Sequence, residues 1–251
     1  MAHDEIAVEF CQVNYEIEGK SIVSDLNLAV RRGEVLVLLG RSGSGKTTAL
    51  KLVNRLLSPT SGEVRVEGCT TAEWDAIRLR RRIGYIIQEV GLFPHFTVEQ
   101  NVGVVPNLEG WQPKRTRSRV FELLHRVGLD PQQFANRYPH QLSGGQRQRV
   151  GVARALAADP PILLADEPFG ALDPITRLDL QQEFRRLHAQ LLKTAIFVTH
   201  DIHEALFLAT RIGLMYRGQL VLLETPTAFL SSSHPEAQAF IRCLRSLPEI
   251  E

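Results

Sequence analysis

The chain has 251 residues, 44% hydrophobic and 23% charged, an ordinary globular composition with enough length for one α/β domain and a small subdomain. A formal net charge of +1 gives no global field toward nucleic acid or anionic lipid, so such a partner would need a local patch. Cys11, Cys69 and Cys243 are odd in number, far apart and without metal-ligand spacing, which points to reduced thiols in a cytosolic compartment.

The start, Met1-Ala2-His3-Asp4-Glu5, is polar and lacks the basic and apolar regions of a signal peptide. No apolar run approaches the roughly 18 residues needed to cross a bilayer, so work at a membrane would require another chain to supply the span. Alternation at Leu26, Leu28 and Val30, and again at Val64 and Val66, predicts half-buried strands of an antiparallel layer. Val35–Leu39, Ile162–Ala165 and Ala195–Thr199 are apolar at consecutive positions, as in parallel strands covered on both faces. Ala49, Leu52, Val53 and Leu56 share one helical face, as do Leu180, Phe184, Leu187 and Leu191. Between residues 89 and 158 helical patterns such as Val120, Leu123, Leu124 and Val127 replace strand signals, punctuated by Pro94, Pro106, Pro113, Pro131 and Pro139. Arg211–Tyr216, Arg217-Gly218 and Gln219–Leu223 predict a closing hairpin. The runs Arg78–Arg82 and Lys114–Arg119 read as solvated helix faces rather than nucleic-acid contacts, because aromatics are not interleaved with them.

Three stretches carry chemistry. Gly40-Arg41-Ser42-Gly43-Ser44-Gly45-Lys46-Thr47, followed by Thr48, joins the first buried strand to a helix, the setting of a phosphate-binding loop. A helix dipole offers only about 0.3–1 kcal/mol per charge, so a triphosphate needs further donors. Gly43 and Gly45 free the backbone to turn N–H groups inward, Lys46 adds a full positive charge, and the Thr47 hydroxyl suits Mg²⁺. Asp166 and Glu167 end the second buried run. Alone they would read as a surface turn; with a phosphate loop upstream they form a Walker B pattern, Asp166 for Mg²⁺ and Glu167 to polarise the attacking water. Leu142-Ser143-Gly144-Gly145-Gln146 opens another helix, either as a phosphate contact or as an ordinary N-cap at Ser143.

Leu-Ser-Gly-Gly-Gln between these two motifs strongly resembles the signature of ATP-binding cassette ATPases, and the likeness covers nearly the whole chain. The resemblance implies an α/β fold: a P-loop NTPase (RecA-like) core with an N-terminal antiparallel β layer and an inserted α-helical subdomain. The expected division is residues 1–88 and 159–225 for the core, 89–158 for the helical signature subdomain, and 226–251 for a short tail of unassigned purpose. It further implies a head-to-tail homodimer in which Ser143, Gly144, Gly145 and Gln146 of one copy complete the ATP site of the other. Gln88 resembles the Q-loop glutamine, sensing Mg²⁺ and water. Ala171-Leu172-Asp173 resembles the D-loop at the dimer seam; Asp173 could otherwise be a helix N-cap. His200 resembles the switch histidine that contacts the γ-phosphate, and Tyr15 the aromatic that stacks on adenine, a contact worth about 1–3 kcal/mol. Arg41 stands where many relatives have proline, at a position expected to contribute mainly backbone.

The segments Ile83–Val98, Asn101–Pro106, Ala157–Pro161, Phe169–Arg177 and His200–Ala205 are similar to importers of quaternary-amine osmoprotectants such as glycine betaine, choline or proline betaine. That likeness implies ATP and Mg²⁺ as cofactors, an integral-membrane permease and, indirectly, an extracytoplasmic substrate-binding protein as partners, and a place at the cytoplasmic face of the membrane. No nucleic acid is expected. Many relatives of this class carry regulatory CBS modules beyond the cassette; the sequence stops at Glu251 without them, so sensing through such modules is not expected. An importer cassette for another solute, an exporter cassette and a soluble cassette ATPase are the alternative readings.

Overall fold

The computed structural model describes residues 5–88, 91–170 and 172–245. The chain divides into two compact units, one of residues up to 76 together with those from 194 onward, the other of residues 77–193.

The first unit opens with β1 (Ile6–Ile17) and β2 (Lys20–Arg31), then β3 (Val35–Leu39), α1 (Lys46–Val53), β4 (Ser61–Val66) and β5 (Cys69–Thr70). β1 pairs antiparallel with β2, Phe10 opposite Leu28, and with β4, Phe10 opposite Val64, giving a four-stranded sheet ordered β2-β1-β4-β5. Leu26, Leu28 and Val30 are buried while Asn27 is exposed, the period-two pattern of a sheet with one wet face. β3 is buried at every position, because it lies within a parallel sheet.

The second unit holds α2 (Ala76–Arg81, all but its first residue), β6 (Ile83–Ile86), α3 (Val98–Leu108), α4 (Pro113–Arg126), α5 (Pro131–Phe134), α6 (Gly144–Leu156), β7 (Ile162–Asp166) and α7 (Pro174–Leu191). β6 and β7 run parallel, Ile83 beside Ile162 and Ile86 beside Ala165. Val98, Val102, Val120, Leu123, Leu124, Val150 and Ala153 are fully buried and form the helical core. Pro113 and Pro131 open their helices at the first turn, where a missing N–H costs nothing. Pro106 does not punctuate: it lies inside α3, two residues from its end.

The chain then returns to the first unit through β8 (Thr194–Thr199), α8 (Ile202–Leu208), β9 (Arg211–Tyr216), β10 (Gln219–Glu224), α9 (Pro226–Leu230) and α10 (Pro235–Arg245). β3 lies between β8 and β9 and is parallel to both, Leu36 pairing with Ile196 and with Arg211. β9 and β10 form the antiparallel hairpin that the Arg217-Gly218 turn announces. Beyond Thr225, Phe229 of α9 and Ala237 and Ile241 of α10 are buried. Cys11, Cys69 and Cys243 are all free thiols.

Candidate functional site

In the first unit the loop between β3 and α1 is shaped around Lys46. Only 4% of this residue is exposed, so its ammonium needs acceptors in place of water. It donates to the carbonyls of Gly40 at 2.8 Å and Arg41 at 2.9 Å, which arch the loop over the lysine head. Gly45 is the N-cap of α1 at φ 99°, a left-handed conformation. A Cβ there would also stand 2.7 Å from the Ile22 carbonyl, so both conformation and space demand glycine. α1 has no side-chain cap and no acidic residue in its first turn. The positive end of its dipole is therefore not offset by a capping side chain or by a carboxylate of its own first turn, an arrangement suited to phosphate oxygens. Thr47 and Thr48 are half-buried in that turn, while Arg41, Ser42 and Gly43 are exposed. Gly218 of the β9–β10 turn buttresses the loop: its N–H donates to the Ser44 carbonyl at 3.1 Å, and its own carbonyl accepts from Ser24 N at 2.9 Å.

Two more expected residues border this loop. Tyr15, half-buried on β1, is paired with Val23 of β2, and Val23 Cγ2 lies 3.4 Å from the Cβ position of Gly45. His200 is exposed just past β8, whose Thr199 is in register with Leu39 of β3, so His200 and Gly40 leave neighbouring strands at the same level. The turn at His200 is fixed by Thr199, whose hydroxyl donates to Glu204 at 2.6 Å and accepts from Asp201 N at 3.0 Å.

In the second unit β7 ends in the buried Asp166, followed by a half-buried Glu167. The Tyr85 hydroxyl, on the neighbouring β6, donates to Asp166 Oδ2 at 3.5 Å, and burial, aided by the Asp166 charge, pushes the phenol well above its usual range. Tyr85 thus stays a proton donor to that carboxylate. Gln88 follows β6 and donates through Nε2 to Glu167 Oε2 at 3.5 Å, so the expected sensor and the expected base are brought together. Glu167 holds φ at 44°, a left-handed value that a residue with a Cβ adopts at a cost. Gln148, 3% exposed on α6, donates its side-chain N–H to the Pro168 carbonyl and ties that helix to the turn after Glu167. No sequence motif marks Gln148; only its burial and partner do.

Ser143 caps α6 in a reciprocal box, its hydroxyl accepting from Gln146 N at 3.3 Å and its N–H donating to the Gln146 side chain at 2.9 Å. Ser143 is thus an N-cap, and it opens a thirteen-residue helix with Ser143 and Gly144 exposed and no acid in the first turn. Gly145 packs against α7, where an added Cβ would sit 2.5 Å from Thr176 Cγ2. The N–H of the same Thr176 donates to Asp173, the N-cap of α7, at 3.0 Å. That backbone bond, with the Thr176 hydroxyl, holds the Asp173 carboxyl below its ordinary value. Ala171 of the expected D-loop, and Glu89 and Val90 after Gln88, lie outside the described residues.

Among the described residues no group of three or more His, Cys, Asp or Glu side chains could enclose a metal ion. The Thr47 hydroxyl in the first unit and the Asp166 carboxylate in the second are each oxygen donors of the kind that hard, partly hydrated Mg²⁺ takes.

The chain is 48% identical over 237 residues to the Bacillus subtilis glycine betaine/carnitine/choline transport ATP-binding protein OpuCA, covering 93% of this chain and 62% of that protein. It is 51% identical over 209 residues to the Salmonella typhimurium osmoprotectant import ATP-binding protein OsmV, covering 83% and 55% of the two. With the Escherichia coli glycine betaine uptake system ATP-binding protein YehX it shares 51% over 224 residues, 89% of this chain and 72% of that one. The chain thus spans under two thirds of the length of OpuCA and OsmV. Among solved structures, the dimeric ATP-binding cassette MJ0796 in a post-hydrolysis state with ADP and Pi superposes with a TM-score of 0.78 at 36% identity, covering 87% of this chain and 98% of that one. The cassette cbiO1 from Clostridium perfringens gives 0.83 at 27% identity, covering 98% of each chain. The model of the ABC transporter family matches residues 23–170, and the chain belongs to that family.

Proposed function

We propose that this chain is the ATP-hydrolysing subunit of an importer of quaternary-amine osmoprotectants, acting at the cytoplasmic face of a membrane. The observation that carries the ATP site is the buried Lys46 held by its own loop at the bare start of α1. The nucleotide's phosphates lie on that helix start, Lys46 neutralises the β- and γ-phosphates, and Tyr15 stacks on the base. By the family likeness, Thr47, Gln88 and Asp166 are the residues that would hold Mg²⁺, which would supply charge neutralisation of phosphate oxygens. Glu167 orients the attacking water, steadied by Gln88, and His200 contacts the γ-phosphate. Ser143, Gly144, Gly145, Gln146 and Asp173 face the site of a second copy, so that two chains form two composite sites. The dimeric cassette MJ0796 supports this arrangement.

The substrate class follows the relatives, which are named for transport of glycine betaine, carnitine or choline. No described helix is long and apolar enough to cross a membrane, so a permease supplies the path and takes its motion from this subunit. A groove of about 540 Å³ on the helical region, lined by Phe93, His95, Phe96, Val104 and Leu108, suits an amphipathic cytoplasmic helix of that permease. Phe93 is 43% and Leu108 59% exposed, apolar area that a bound helix would cover. An extracytoplasmic binding protein then delivers the substrate. The test is uptake into vesicles carrying a permease that co-purifies with this subunit: labelled glycine betaine should accumulate only with the subunit and hydrolysable ATP. Uptake of a different solute alone would overturn the substrate class, and uptake without the subunit would overturn the role.

A further inference from the structure

Arg41 does more than lend its backbone to the phosphate loop. Its Nε donates to Glu236 Oε1 at 2.6 Å and its terminal nitrogen to Oε2 at 3.2 Å, a two-pronged ion pair across 195 positions of sequence. Glu236 stands in the first turn of α10, outside the residues matched by the family model. Its side chain is only 10% exposed, whereas that of Arg41 is 64% exposed, so the carboxylate is the fixed partner and the guanidinium the reaching one. The Glu236 N–H donates to His234 Nδ1 at 3.2 Å, and Ala237 and Ile241 anchor the helix in the core. The carbonyl of Arg41, in turn, is one of the two that hold the Lys46 ammonium. Surface ion pairs usually do little, but a bidentate pair with one buried partner fixes geometry.

We propose that Glu236 is a positioning residue for ATP: through Arg41 it fixes the first bend of the phosphate loop and hence the acceptors that aim Lys46. The C-terminal helix is then part of the nucleotide site although it touches no nucleotide. The proposal rests on the phosphate-loop reading above.

The test is a double-mutant cycle on the full-length protein, with Mg-ATP affinity read by titration and KM and kcat by phosphate release. Glu236→Ala should weaken ATP binding and raise KM roughly three- to tenfold, the range expected for coupled neighbours, with kcat little changed. The same change in an Arg41→Ala background should add nothing further. Glu236→Gln, which preserves shape and one acceptor, should fall between and serves in place of the alanine variant if that one fails to fold. Unchanged affinity in the folded Glu236 variant, or an equal loss in both backgrounds, overturns the proposal. Absence of ATP binding by the unaltered protein would instead overturn the phosphate-loop reading itself.

Discussion

Removing Lys46 and removing Glu167 should separate binding from chemistry. Lys46→Ala deletes a buried charge and strands the Gly40 and Arg41 carbonyls that accept from it. Charge-assisted hydrogen bonds are worth about 1.5–3 kcal/mol, so ATP affinity should fall at least roughly tenfold in calorimetric titration. Unchanged affinity would count against the cradle. Glu167→Gln retains size and can still meet Gln88, so nucleotide binding should survive while turnover drops by about 10²–10⁴, the usual share of general-base assistance. Steady-state phosphate release from pure protein measures it, and near-normal turnover would remove Glu167 from that role.

At the scale of elements, the helix starts differ in how they are capped. α6 and α7 are closed by their own side chains, Ser143 with Gln146 and Asp173 with Thr176, whereas α1 begins on a bare glycine. The Asp173 cap gives a pH dependence whose sign is fixed. Its carboxyl is held below the ordinary value of 3.8, first by the Thr176 N–H, so the native state prefers the ionised form. The stability it contributes is present above 3.8 and is lost as pH falls through the lower folded value. Asp173→Asn still caps but does not titrate, so its melting temperature should fall less steeply than that of the unaltered protein between about pH 4 and pH 2. Parallel acid limbs would show that the cap does not contribute.

At the scale of the whole molecule the consequence of Glu167→Gln is assembly. If hydrolysis separates two copies, the variant should sediment as a dimer with Mg-ATP and as a monomer without it; a monomer in both conditions would argue against composite sites. Much of this molecule is legible in its sequence. Val35–Leu39, Ile162–Ala165 and Ala195–Thr199 announce buried strands because both faces of each are covered, and the phosphate loop announces itself because all its parts are consecutive. Glu236 and Gln148 are not legible, since their partners Arg41 and Pro168 are remote in sequence and no local period links them. Tyr85 reads as an ordinary strand residue until β7 sets Asp166 beside it. The C-terminal helices escape notice because their burial depends on the elements they pack against, β9 and β10 for α9 and α8 for α10, not on a motif.

The left-handed backbone of Glu167 has a consequence for laboratory evolution. Glycine at that position would relieve the torsional penalty, which is of order 1–3 kcal/mol, and also delete the carboxylate. Selection for heat resistance alone would therefore drift toward tougher proteins that no longer consume fuel. A screen that reads ATP turnover, the role proposed for Glu167, would keep the tension in place.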